Sequence, residues 1–245
     1  MAPLEKDNVH RVLDIGTGTG IWAIEMAEIF HNAEVTGIDL SGTQPSWVPP
    51  NVKFIIDDIE SPWIENDIFD FIMCRYMVSS IKDWPKLVEN MYDHLNPGGW
   101  VELQDICVES YSQDGTLTKE HALIKWNKAY EEASEIIGRD CKPGKKLKGW
   151  IEDAGFENIH HERFRIPIGP WPKDPYYRDI GIHNLIQYLD GLEGFSLRSF
   201  CGALGWTQEE VLVLLAEVRN ELKSGAYHAM FDFHVVYGQK PKPKE

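Results

Sequence analysis

Short apolar runs alternate with helical periodicities through the first hundred residues. Val12-Leu13-Asp14-Ile15 is an apolar run carrying an acid, and Gly16-Thr17-Gly18-Thr19-Gly20 follows it. Ala23, Met26, Ala27 and Phe30 then recur at i, i+3, i+4 and i+7, the spacing of one helix face. Val35-Thr36-Gly37-Ile38-Asp39, Val52 to Asp57 and Phe69 to Cys74 read as three more strands. Pro85 suits the first turn of a helix whose apolar face is Val88, Met91 and Leu95, and Asn96-Pro97-Gly98-Gly99 is expected to end it and turn the chain. Trp100 to Asp105 reads as a fifth strand. Strand and helix alternating in this way predict a parallel sheet with right-handed crossovers.

The second half is more helical. Leu123, Trp126, Tyr130, Ala133 and Ile137 mark a helix face that Gly138 can terminate, and a shorter helix is expected around Leu147 to Ala154. Phe156 to Ile166 reads as a strand stopped by Pro167. Asp174-Pro175 is a helix start, and Thr207-Gln208-Glu209-Glu210 is a capping box ahead of Val211, Leu214, Leu215, Val218 and Leu222. Ala229 to Tyr237 reads as a last strand, and Lys240 to Lys244 as a frayed tail.

With 245 residues the chain can bury a full core as one domain with a cap. Its 24 basic and 39 acidic residues give a net charge of −15, which disfavours nucleic acid and anionic membrane surfaces as partners. The basic clusters are confined to Lys142–Lys148 and the Lys240–Lys244 tail. No apolar stretch approaches the ~20 residues of a membrane span. Cys74, Cys107, Cys141 and Cys201 are scattered, so neither a disulfide framework nor a zinc site is expected, and a reducing, cytoplasmic setting fits.

The chemistry concentrates at Asp14-x-Gly16-x-Gly18-x-Gly20. A glycine loop between strand and helix brings backbone N–H groups close to a ligand. A P-loop needs a Gly-Lys-Ser/Thr that is absent here. A dinucleotide fingerprint would place its third small residue at Ile21, whose side chain is expected to block close helix–strand packing. Gly-x-Gly-x-Gly, the pattern of S-adenosylmethionine sites, fits without adjustment. Asp39, 19 residues after Gly20, stands where a carboxylate can accept both ribose hydroxyls, which suits either NAD or S-adenosylmethionine. Of the pair Asp57-Asp58, Asp58 can accept an adenine amino group and Asp57 is read as a solvated turn residue. Leu40 and Ile59 can sandwich the purine. No metal site is expected.

Val12 to Asp105 resembles a class I methyltransferase core. The finer resemblance is to the LaeA-like fungal methyltransferases of secondary metabolism. It rests on Leu13 to Ala23, Asp39-Leu40-Ser41, Gln44-Pro45-Ser46-Trp47-Val48-Pro49-Pro50-Asn51-Val52, Phe54 to Asp58, Ile81 to Pro85, Leu95 to Asp105, Gly191 to Ser196 and Val235 to Pro241. The resemblance implies an α/β fold: a Rossmann-like seven-stranded mixed sheet with the last strand antiparallel, helices on both faces and an inserted helical cap. Core segments would be 1–106, 146–172 and 225–240, cap segments 107–145 and 173–224, and the tail 241–245. It also implies that Asp14, Gly16, Thr17, Gly18 and Gly20 line the methionine half of S-adenosyl-L-methionine, Asp39 the ribose, and Asp58 with Ile59 the adenine. Arg75 and Tyr76 would border the transferring methyl, and S-adenosyl-L-homocysteine is the product. Such proteins carry a helical segment before the first strand that closes over the cofactor. Only eight residues precede Val9, so a more exposed cofactor is expected.

A phenol or carboxylate acceptor calls for a general base, and His183, beside Asn184 and Tyr188, is the candidate, with His121 second. His160 and His161 read as strand residues facing opposite ways, and His94 as a helix-end residue. Trp47, Trp63, Trp84, Trp171 and Trp206 are read as core residues before pocket residues. Three functions stay open: methylation of a small-molecule O or N acceptor, a LaeA-like regulatory role through a protein partner with weak or absent methylation, for which a nuclear location is possible, and an NAD-dependent oxidoreductase; a homodimer is a further possible partner.

Overall fold

The computed structural model describes residues 1–63 and 67–243; the last two residues of the expected tail lie outside them. Seven strands form one sheet: β1 (Arg11–Ile15), β2 (Glu34–Asp39), β3 (Val52–Ile56), β4 (Phe69–Arg75), β5 (Leu95–Ile106), β6 (Glu157–Pro167) and β7 (Met230–Gln239). The spatial order is β3-β2-β1-β4-β5-β7-β6. Strands β1 to β5 pair in parallel, and β7 runs antiparallel to both β5 and β6. Strand order reverses between β1 and β4, which opens a crevice at their carboxyl ends.

Alternate residues of each central strand serve opposite faces. Val12, Val35, Phe71 and Met73 pack under α1 (Ile21–Ile29), whereas Leu13, Ile15, Ile72, Cys74, Val101 and Leu103 pack under α2 (Trp84–Asp93) and α4 (Leu147–Asp153). Burial on both faces explains why these strands read as continuous apolar runs. A third cluster joins α3 (Ala122–Ile137), α5 (Pro175–Ser199) and α6 (Gln208–Ser224). Ile168, Tyr227, Ala229 and Phe231, in and beside the ends of β6 and β7, belong to this helical cluster.

Helix starts follow the local rules. Asp174 accepts the Tyr176 N–H, and Thr207 and Glu210 close a capping box. Three expectations need correction. Helix α2 ends at Asp93, with His94 as its cap and Nδ1 2.8 Å from the Asn90 carbonyl. Leu95 therefore starts β5, and Asn96 to Gly99 form an irregularity within that strand, stitched to Asp70 and to Lys240. Ile137 is half-exposed, outside the buried face of α3. Lys240 is anchored, its Nζ 2.7 Å from the Tyr92 carbonyl and 4.8 Å over the Tyr92 ring. The basic run 142–148 carries no free positive patch, since Lys142, Lys145, Lys146 and Lys148 pair with Glu131, Glu109, Asp140 and Glu152.

Candidate functional site

The carboxyl ends of β1 to β4 converge on one cleft of about 370 Å³. Gly16 and Gly18 follow β1, Asp39 and Leu40 end and follow β2, Asp57 to Glu60 follow β3, and Arg75 to Met77 end and follow β4. Ser80, Ile81 and Arg139 complete the lining. Eight of the expected cofactor residues therefore share one wall: Gly16, Gly18, Asp39, Leu40, Asp58, Ile59, Arg75 and Tyr76.

The other three, Asp14, Thr17 and Gly20, shape the loop without lining the cleft. Asp14 is buried and accepts the Thr17 hydroxyl at 2.6 Å; burial pushes its carboxyl up to about 6 against the pull of that bond and of Arg75. Gly20 caps α1 at φ 80°, and a Cβ there would lie 2.3 Å from the Phe54 ring. Ile21 is 61% exposed and points away from this contact. Close packing thus falls on the third glycine of Gly-x-Gly-x-Gly, one residue before the position that a dinucleotide fingerprint requires. Gly18, at φ 56°, has no atom within 4 Å of where a Cβ would sit, leaving room on the cleft side.

Asp39 is held in place by the chain itself. Its Oδ2 accepts the Gly18 N–H at 2.8 Å, and its Oδ1 accepts the Ser41 N–H at 3.0 Å and hydroxyl at 2.9 Å. Three of about four acceptor sites are filled. Accepting both ribose hydroxyls therefore requires the Ser41 hydroxyl to turn away. Thr43 and the Gln44 carboxamide donate to the Gly18 carbonyl at 3.1 and 2.6 Å, so the Gln-Pro-Ser-Trp run braces the glycine loop. Leu40 is 73% exposed at the cleft mouth, an apolar surface that the core does not use.

Several lining residues escaped the sequence reading. Asp57, read as a solvated turn residue, is indeed exposed in the loop after β3, and it also borders the cleft and accepts the Asp58 N–H. Met77 folds over Gly16, its sulfur 2.3 Å from where a Cβ would sit. Its N–H donates to Asp105 at 2.8 Å. Asp105 is almost wholly buried, and burial lifts its carboxyl to about 7 despite backbone donors from Ile106, Met77 and Val78. It clamps the turn that presents Tyr76, a non-glycine residue at φ 54°. Arg75 also borders a second hollow of about 470 Å³ on the α1 face, with Trp22, Phe71, Met73, Glu102 and Gln104. Among these no local signal existed; their meeting is tertiary.

His183 does not join the cleft. It lies exposed on α5, with Nδ1 2.9 Å from the Asp179 carbonyl. His121 sits at the start of α3, its Nδ1 3.1 Å from the Thr118 hydroxyl. His160 stacks on Tyr237; His161 is exposed and bonds and stacks on the buried His234. Trp47 is 94% exposed, contrary to a core role, whereas Trp84 is buried and stacked on Trp150.

Comparison with known proteins agrees with this geometry. Residues 1–161 match the family model described as a methyltransferase domain. The chain is 45% identical over 242 residues to methyltransferase pytC of Aspergillus terreus, covering 98% of this chain and 74% of that protein. It is 35% identical over 244 residues to the secondary metabolism regulator LAE1 of Cochliobolus heterostrophus, covering 98% and 80%. Among solved structures, a Haemonchus contortus phosphoethanolamine N-methyltransferase 2 in complex with S-adenosyl-L-methionine superposes with a TM-score of 0.61 at 21% identity. That alignment covers 98% of this chain and spans half the length of the other. The chain belongs to the methyltransferase-domain family, among the LaeA-like methyltransferases of secondary metabolism.

Proposed function

We propose that the chain moves the sulfonium methyl of S-adenosyl-L-methionine to an O or N nucleophile of a small-molecule acceptor, releasing S-adenosyl-L-homocysteine and a proton. The observation that carries this reading is the single cleft at the strand-order reversal, where Gly16, Gly18, Asp39, Leu40, Asp58 and Ile59 face one space. The lining suits the cofactor chemically: open room at Gly18, an exposed apolar Leu40 for a purine face, and carboxylates for hydroxyl and amino groups.

When bound, the cofactor supplies an electrophilic methyl on sulfur. The residues supply placement. Asp39 would hold the ribose, with the Ser41 hydroxyl turning aside. Leu40 and Ile59 would enclose the purine, and Asp58 would accept its amino group. Asp14 acts on the loop through Thr17. Arg75 and Tyr76 would border the reacting end, and Tyr76 packs on Phe233 with ring centroids 5.4 Å apart. Alignment in such a site can contribute up to ~7–11 kcal/mol. Carboxylates such as Asp39 and Asp58 would hold the cofactor at its hydroxyl and amino groups, where they would not stabilise the sulfonium charge that the reaction consumes.

The test is calorimetric titration of S-adenosyl-L-homocysteine into the protein and its Asp39→Ala variant, followed by transfer of labelled methyl to a panel of phenols, amines and carboxylic acids. Binding that Asp39→Ala weakens, with label in an acceptor, supports the proposal. No binding by the wild type, or binding with no transfer to any acceptor, overturns it. A regulatory role through a protein partner is the second reading, favoured by the similarity to LAE1. Cofactor binding without transfer, together with a stable co-purifying protein, would favour it. Among the described residues no helix is long and apolar enough to cross a membrane. A cytoplasmic location, or a nuclear one for a regulator, is part of the proposal and rests on the scattered, unpaired cysteines.

A further inference from the structure

Arg139 reaches the cleft from a different part of the chain. Every other lining residue falls between Gly16 and Ile81. Gly138 ends α3 in the left-handed region at φ 73°, and the Arg139 N–H closes back on the Ser134 carbonyl at 2.8 Å. That turn aims the guanidinium at the cleft. Its Nη1 lies 3.0 Å from Glu60 Oε2 and 2.5 Å from the Ser80 carbonyl. Glu60 Oε1 accepts the backbone N–H groups of Lys82 at 2.9 Å and Asp83 at 3.0 Å.

Burial alone would raise the Glu60 carboxyl. The Asp83 and Lys82 N–H groups and the guanidinium outweigh it and hold the group below the usual carboxylate range. Both side chains are 21% exposed, so water screens the pair only in part. Two more contacts fasten the same seam: the Ser79 N–H donates to the Asp140 carbonyl at 2.9 Å, and the Ser79 and Ser134 hydroxyls lie 3.3 Å apart.

Among the described residues the cleft carries four carboxylates, Asp39, Asp57, Asp58 and Glu60, against the two cations Arg75 and Arg139. Without Arg139, Glu60 would face three like charges with no cation of its own. Its Oε1 would keep the Lys82 and Asp83 N–H groups, but its Oε2 would lose its partner, and the seam that ties the segment after Asp57–Ile59 to the α3 end would loosen. We propose that Arg139 is a cofactor-positioning residue supplied by α3, acting through Glu60 to hold that wall against the adenosyl group. The inference rests on the cleft being an adenosyl-cofactor site. It makes cofactor retention and the order of the α3 end two sides of one equilibrium, each favouring the other.

The experiment measures S-adenosyl-L-homocysteine affinity by calorimetry and amide exchange over residues 134–141, with and without that ligand, in wild type, Arg139→Met, Arg139→Lys and Glu60→Gln. Arg139→Met is expected to weaken binding roughly tenfold, and Arg139→Lys, which keeps a charge and several donors, to recover to within about threefold of wild type. Ligand slows exchange over 134–141 in the wild type and fails to do so in saturated Arg139→Met. If Arg139→Met does not fold, Glu60→Gln, which keeps an acceptor for Lys82 and Asp83, carries the same expectation. A folded variant that binds as wild type does, or shows the same slowing, overturns the proposal. A wild type that binds no S-adenosyl-L-homocysteine overturns the reading of the cleft itself.

Discussion

Replacing Asp105 by Asn is expected to change the pH dependence of stability more than stability at any one pH. Asp105 lies 1% exposed beneath the Tyr76–Val78 turn, and burial raises its carboxyl from 3.8 to about 7. An acid raised on folding binds its proton more tightly in the native state. Native stability therefore falls as pH climbs from about 4 through about 7, because the unfolded chain ionises first. At about 1.4 kcal/mol per pKa unit the full effect is roughly 4 kcal/mol, of which roughly 3 is lost between pH 5 and pH 8. Asparagine keeps a carbonyl oxygen for the Met77 N–H and cannot ionise. Asp14, raised to about 6, falls in the same direction, and His234, lowered to about 4 by burial and by His161, opposes both; these groups are common to the two proteins and cancel. Urea unfolding of wild type and Asp105→Asn at pH 5 and pH 8 isolates the difference. The wild type should lose about 2–3 kcal/mol more than the variant over that interval. Identical pH slopes would refute the claim that burial raises the Asp105 carboxyl far above its ordinary range.

Gly20→Ala adds a Cβ 2.3 Å from the Phe54 ring at φ 80°; thermal unfolding should show a loss of about 2–4 kcal/mol, with S-adenosyl-L-homocysteine binding impaired. Asn127 is 7% exposed on α3, and neither end of its carboxamide has a hydrogen-bond partner among the described residues. Asn127→Leu should therefore raise stability by about 1–3 kcal/mol in chemical denaturation, and a loss of that size would show that the carboxamide is satisfied after all. His183→Gln should leave both the melting temperature and S-adenosyl-L-homocysteine affinity unchanged, since His183 is exposed and outside the cleft.

What could be read along the chain was what is local. The β1–loop–α1 unit carries its own signals within Val12 to Phe30, and Asp39 is located by ending the next strand. The Thr207 capping box and the Asp174-Pro175 start are likewise complete within four residues. Long-range effects were hidden. Asn96 to Gly99 look like a helix stop and turn, yet pairing with β4 and contacts to Lys240 carry the strand through them. Arg139 stands 58 residues from Ile81, the lining residue nearest to it in the chain, and only the packing of α3 brings it to Glu60. Met77 reads as an ordinary apolar residue until its sulfur is seen over Gly16. His183 lies on a helix that buries only Gly181, Leu192 and Ser196, so its periodicity gave no guide to which side faces the site.

The most direct measurement is a crystal structure grown in excess S-adenosyl-L-homocysteine. The account predicts the ribose hydroxyls within hydrogen-bond distance of the Asp39 carboxylate, the purine between Leu40 and Ile59, and the amino-acid end over Gly16 and Gly18. Ligand density elsewhere on the molecule, or a cleft between β1 and β4 that stays empty, would contradict it.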